Sequence, residues 1–187
     1  MISNLERFQK AIKAFDQANS QDPKGQEVLY AQRMTHWLER LAPEASEALR
    51  LAARSQHLCR WMIPRNQYPI GRIGYLKWRT TLYEFHAQKA GEILEKIGYD
   101  RQTITQVQEL LRKKDIKTNP QMQFLEDVIC LVFLENYFAE FAQKHPEEKI
   151  ISIVQKTWKK MSPTGHQAAL TLPMSGEVRA LIEKALS

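Results

Sequence analysis

The run VICLVFL, residues 128–134, places seven apolar side chains in succession and constrains the fold more than any other stretch. It lies in a segment that starts at Asn119-Pro120, a capping residue followed by a proline suited to a first helical turn, and that continues to about Gln143. A helix that is apolar around its whole circumference has to be enclosed by other elements. The rest of the chain must therefore supply a shell of amphipathic partners around 120–143.

Most of the sequence is patterned to do so. Leu5, Phe8, Ile12 and Phe15 recur at helical spacing in a first helix that stops by Pro23 and Gly25. A second, over 27–41, turns Leu29, Met34, Leu38 and Leu41 inward and ends before Pro43. A third, over 43–58, opens on Pro43, carries Ala45, Ala48, Leu49 and Ala52, and delivers Gln56 and His57 at its end. A long helix over 75–97 buries Leu82, Ala90, Ile93, Leu94 and Ile97 and closes on Gly98. Asp100 caps a short helix holding Ile104, Val107, Leu110 and Leu111. Pro146, with Glu147 and Glu148 in the first turn, opens a helix reaching Met161, and Ser162-Pro163 and Ser175 start two short terminal helices. Strand alternation and internal repeats are not evident. The expected fold class is all-α, a single compact multi-helix domain of about eight helices spanning 1–187.

No apolar run approaches the roughly 20 residues that span a bilayer. The N-terminal stretch MISNLERFQKAIKAF is charged where a signal peptide needs an apolar segment. A cytoplasmic protein with no membrane partner is expected. Cys59 and Cys130 lack CxxC spacing and are expected as buried thiols, not as a disulfide or a zinc site.

The segment 56–86, QHLCRWMIPRNQYPIGRIGYLKWRTTLYEFH, departs from this plan. Pro64, Pro69, Gly71 and Gly74 do not fit one continuous helix, which predicts a loop of about fifteen residues, ordered by Trp61, Ile63, Tyr68 and Ile70. Charge concentrates here as well. Residues 54–89 hold seven basic side chains and one acid, Glu84, so that this window alone matches the chain's net charge of +6 and the remainder is neutral. A focused basic patch implies an anionic ligand.

Arg60, Arg65, Arg72 and Arg79 can hold phosphate in a bidentate fork, while Trp61, Tyr68, Tyr75 and Trp78 can stack on a base or a guanidinium. The same side chains can instead pair with acids elsewhere and staple the loop to the core. Lys113, Lys114 and Lys117 extend the patch, whereas Lys156, Lys159 and Lys160 beside Trp158 are expected on a solvated face.

His57, His86 and Asp127 fall on three different helices beside core-like stretches, an arrangement from which facing helices assemble catalytic or metal sites. The alternative is that each is a capped or hydrogen-bonded polar residue, since no local motif such as HExxH is present. His36, His145 and His166 are expected at the surface or at helix boundaries.

At these residues the chain resembles two groups. The helix end LAARSQHLCR is similar to the HD-superfamily motif, in which an apolar helix of the LAALLHDIGK type ends in a metal-binding His-Asp pair, with Gln56 at the histidine and His57 at the aspartate. FHAQKAGEIL resembles the segment in which a histidine opens a helix, which places His86 there, and Asp127 is similar to the family's last aspartate. The first histidine of that pattern has no clear counterpart, since Tyr30 or Gln32 falls near it. Over nearly the whole chain, LYAQRMTHWLERL, QHLCRWMIPRNQYP, GYLKWRTTL, LEDVICLVFLE and KTWKKMSPTGH are similar to stretches of the domain-of-unknown-function 4202 family.

The HD resemblance implies an HD-like helical bundle and a metal-dependent phosphohydrolase holding one divalent ion, of manganese, iron, nickel or zinc. Glutamine is a poor ligand for a transition metal. Either His57, His86 and Asp127 form a rearranged ligand set, or the scaffold has lost the metal and kept a phosphate pocket made by the arginines.

Two functions follow. The first is binding of a phosphorylated ligand, a nucleotide or a nucleic-acid end, with hydrolysis centred on His57, His86 and Asp127. In that reading Gln56, Arg60, Arg65, Arg72, Arg79, Trp61 and Trp78 contact the ligand. The second is a non-catalytic RNA-binding or partner-binding module using the basic, aromatic loop 60–79.

Overall fold

The computed structural model describes residues 3–113 and 118–187, so the expectations for Lys114 and Lys117 lie outside the described residues. Ten α-helices occur among the described residues, packed as an all-helical bundle. They are α1 Asn4–Asn19, α2 Glu27–Leu41, α3 Glu47–Arg54, α4 Arg72–Ile97, α5 Arg101–Leu111, α6 Pro120–Asn136, α7 Phe138–Gln143, α8 Glu147–Trp158, α9 Pro163–Leu170 and α10 Gly176–Leu186. None is long and apolar enough to cross a membrane among the described residues.

The central helix is where its sequence requires it. On α6, Leu125, Val128, Leu131 and Val132 are fully buried, and each contributes roughly 1.5–3 kcal/mol by leaving water. Helices α2, α9, α7, α3 and α5 pack around it, while α4 lies against α5 and α1.

Most boundaries follow from capping chemistry. Ser3, Ser46, Asp100, Asn119, Ser162 and Ser175 each accept a hydrogen bond from the first turn of the helix that follows. Gly98 ends α4 in the left-handed conformation expected of it, with φ 93°.

Several expected helix limits are corrected, among them the helix expected to reach Met161, which ends at Trp158. The third helix starts at Glu47, because the Ser46 hydroxyl caps Leu49 N–H, and it stops at Arg54, several residues before the expected end. The long helix begins at Arg72, so its first turn absorbs Gly74. The segment 120–143 breaks at Tyr137, whose φ of −127° leaves the helical region, and the bundle thereby gains a helix. Between α3 and α4 the chain makes two single-turn 3-10 helices, Arg60–Met62 and Arg65–Gln67, where a loop was expected.

Candidate functional site

The turn after α3 brings the polar residues of the site together. Cys59 takes a left-handed conformation with φ 55°, and its N–H is held by Asn19 Oδ1 at 2.9 Å. This conformation costs a non-glycine residue about 1–3 kcal/mol and is a common signature of functional sites. His57, on that turn, stacks on Tyr30 of α2 with ring centres 3.7 Å apart and planes within 7°. Its Nε2 accepts from Arg60 Nη1 at 3.4 Å, and its Nδ1 faces Glu27 Oε2 at 3.5 Å. The Arg60 guanidinium lies 4.6 Å from the Trp78 ring centre, and the Trp78 indole N–H donates to the Ile63 carbonyl at 2.8 Å. Arg60 thus bridges the turn to α4 through a ring face.

His86, on α4, is 2 % exposed and sits with its ring centre 6.1 Å from that of His57. Its Nδ1 donates to the Leu58 carbonyl at 2.8 Å, which fixes the tautomer and leaves Nε2 as a bare acceptor. That Nε2 has no partner, and neither does Oε1 of buried Gln56. Burial pushes the His86 imidazole down to about 4, against the opposing effect of the Leu58 hydrogen bond. Burial, with Arg60, His86 and Lys113 nearby, holds His57 well below its ordinary range. Both rings are neutral at pH 7. Glu27 moves the other way: burial raises it to about 7, with Arg60 opposing.

Beside this cluster a pocket of about 340 Å³ opens between α4, the end of α5, α6 and Lys160. At its base Glu126 is 2 % exposed and takes one lysine on each oxygen, Lys113 Nζ at 2.7 Å and Lys160 Nζ at 3.4 Å. Burial alone would raise the Glu126 carboxyl, and the two ammonium groups more than reverse that, leaving it below its ordinary value. Arg79 donates to the Tyr83 hydroxyl on the pocket wall, and Arg112 is drawn aside to Glu84 at 2.8 Å. Lys113 has φ 58°, so the two non-glycine residues with positive φ among the described residues, Cys59 and Lys113, both border the site.

The expected residues divide. Gln56, His57, Arg60, Trp78 and His86 converge, with Tyr30 beside them. Asp127 does not join the histidines. It is fully buried, and its carboxylate accepts from Ser162 N at 2.8 Å, Ser162 Oγ at 2.5 Å and Gln123 Nε2 at 3.1 Å, tying α6 to the start of α9.

Among the described residues no group of three or more His, Cys, Asp or Glu side chains could hold a metal ion. Arg65 is spent on the loop itself: it donates to the carbonyls of Tyr68 and Pro69, each at 2.9 Å, and of Gly71 at 3.4 Å. Trp61 is half-buried against the core. Arg72 is exposed on the first turn of α4.

His36 is exposed, His145 stacks on Phe141, and His166 stacks on Trp158, all apart from the site. Lys160 leaves the expected solvated face for Glu126. Glu27, Tyr83, Glu126 and Arg112 enter the site without having been anticipated there. The available signal for Glu126 was a charge pair ahead of VICLVFL, which demands partners wherever it is buried.

Neither the curated proteins nor the solved structures yield a match to the chain. The model of one family, described as Domain of unknown function (DUF4202), matches residues 9–182. Since that span takes in the central helix, the His57 turn and the basic pocket alike, the chain belongs to the DUF4202 family.

Proposed function

We propose that the chain is a non-catalytic recognition module that binds RNA through the basic, aromatic segment 60–79. The observation that carries this is the state of its cations. Arg60, Arg72, Lys77 and Arg79 have no carboxylate within ion-pair distance among the described residues. Arg60 and Arg79 lie on aromatic faces instead, over Trp78 and near Tyr75 and Tyr83.

The start of α4 adds to this charge. It has no side-chain cap and no acid in its first turn, yet carries Arg72 there, against the helix dipole. Free cations along one segment suit a phosphate backbone, and Tyr75, 43 % exposed, offers a ring for stacking.

The test is fluorescence anisotropy with a single-stranded oligoribonucleotide ending in a 5′-hydroxyl, at about 50 mM salt. Binding that weakens about fivefold or more in R72Q/K77Q is expected, because each lost phosphate contact releases fewer counterions. No binding by the intact protein overturns the proposal.

A second reading is a diverged HD-type, metal-dependent phosphohydrolase on an HD-like bundle. It is supported by the convergence of Gln56, His57 and His86, three of the four positions the HD resemblance assigns, with Tyr30 beside them, and by the unpartnered acceptors on Gln56 and His86. The donor set does not fit a metal as it stands, because Asp127 is committed to Ser162 and Gln123. Elemental analysis separates the readings. About one equivalent of manganese, iron, nickel or zinc, lost in His57→Ala, favours the hydrolase.

A further inference from the structure

We propose that the pocket over Glu126 is a receptor for a terminal phosphate, the dianion of a phosphomonoester, presented by the end of an RNA strand or by a mononucleotide. Only the RNA source of that phosphate rests on the RNA-binding proposal.

Charge sets the ligand class. Among the described residues, Arg79, Lys113 and Lys160 face the pocket with Glu126 as its one buried acid, and Arg112 is neutralised by Glu84. Three cations and one carboxylate leave a net charge of +2. A phosphomonoester carries close to −2 at pH 7, and a backbone phosphodiester carries −1, so the pocket matches a chain end and over-compensates a chain interior. A volume of about 340 Å³ holds a phosphate with part of a sugar.

The donors are built in advance. Glu126, at 2 % exposure, draws in a lysine from each of two separate elements, so Lys113 is fixed and Lys160 is held near the carboxylate before a ligand arrives. The Lys113 side chain is 8 % exposed and its backbone is held at φ 58°, a conformation that persists in a lysine only where its surroundings enforce it. Tyr83 accepts from Arg79, which leaves its own hydroxyl proton free to donate into the pocket. Lys160, 46 % exposed, stands at the open side where a ligand enters. Each lysine keeps further ammonium hydrogens beyond the one directed at Glu126.

Isothermal titration at one salt concentration compares a short RNA bearing a 5′-phosphate with the same RNA bearing a 5′-hydroxyl, and adds AMP and inorganic phosphate as separate probes. Phosphorylated RNA binding about tenfold or more tighter than its hydroxyl counterpart is expected. Removing Lys113 leaves a buried carboxylate short of a partner and endangers the fold, so K160Q and Y83F carry the test, with circular dichroism confirming that both remain helical. Each is expected to shrink the phosphate preference, while R72Q/K77Q weakens both RNAs equally. If neither RNA binds but AMP or inorganic phosphate binds and is lost in K160Q, the pocket proposal stands and the RNA proposal falls. Equal affinity for the two RNA ends, together with no binding of AMP or inorganic phosphate, overturns it.

Discussion

Glu27 holds a carboxyl that burial raises to about 7 from an ordinary 4.5, and this leaves a pH signature. Its folded value lies above its unfolded one, so the stability it contributes is fully present below about pH 4.5 and is lost as pH rises through 7. Glu27→Gln keeps the size and removes the charge. The variant is expected to be more stable than the parent by about 3 kcal/mol at pH 8 and unchanged at pH 4, by urea unfolding at both values. An equal effect at both pH values would mean that packing, and not ionisation, sets the difference.

His86 works in the opposite sense, since its depressed imidazole favours the fold above about pH 6.5. Single residues were legible in the sequence where chemistry clusters locally, as for Gln56, His57 and Arg60 on one turn. They were not legible where one helical step decides. Glu126 and Asp127 are adjacent, and a rotation of about 100° sends one carboxylate to Lys113 and the other to Ser162. No local pattern distinguishes those two destinations.

Among the elements, the connection from α3 to α4 is irregular yet firmly tied. Arg65 holds the carbonyls of Tyr68, Pro69 and Gly71, Trp78 holds Ile63, and Gly74 packs so tightly that a Cβ there would lie 1.9 Å from the Pro69 carbonyl oxygen. Gly74→Ala must push backbone against backbone and is expected to cost about 1–3 kcal/mol.

By contrast, Ile70 and Ile73 are 100 % and 86 % exposed, so Ile70→Ser and Ile73→Ser are expected to change stability by no more than about 0.5 kcal/mol. Chemical denaturation of the three variants checks both statements. Equal losses in all three would show that the apolar side chains brace the loop.

Helix α2 kept its expected limits because Pro43 punctuates its end, and α5 and α6 kept their starts because Asp100 and Asn119 cap them. The break at Tyr137 has no proline or glycine to announce it. Its hydroxyl accepts from Arg33 of α2 at 3.0 Å, a contact 104 residues away that only the packed bundle reveals.

Across the whole molecule, the excess charge of +6 that the sequence locates in 54–89 is not all available for binding. Arg54 is paired with Asp16 at 2.6 Å, Lys89 with Glu92 at 3.4 Å, and Arg65 is consumed by carbonyls, which leaves Arg60, Arg72, Lys77 and Arg79. Of these four, which have no ion-pair partner among the described residues, Arg79 faces the Glu126 pocket, so three remain for backbone phosphates and predict a salt dependence. For single-stranded RNA the logarithm of the binding constant should fall against the logarithm of salt with a slope of about −2, the product of three contacts and roughly 0.7 counterions each.

R72Q/K77Q should flatten that slope by about 1.4, and Lys160→Gln should leave it nearly unchanged for a 5′-hydroxyl strand, because Lys160 already answers Glu126. Anisotropy titrations across a salt series measure all three slopes. A slope near zero with affinity retained would instead place the ligand in a closed pocket, where buried polar contacts outweigh counterion release, and would shift the weight of function from the α4 surface to the Glu126 pocket and the His57–His86 cluster behind it.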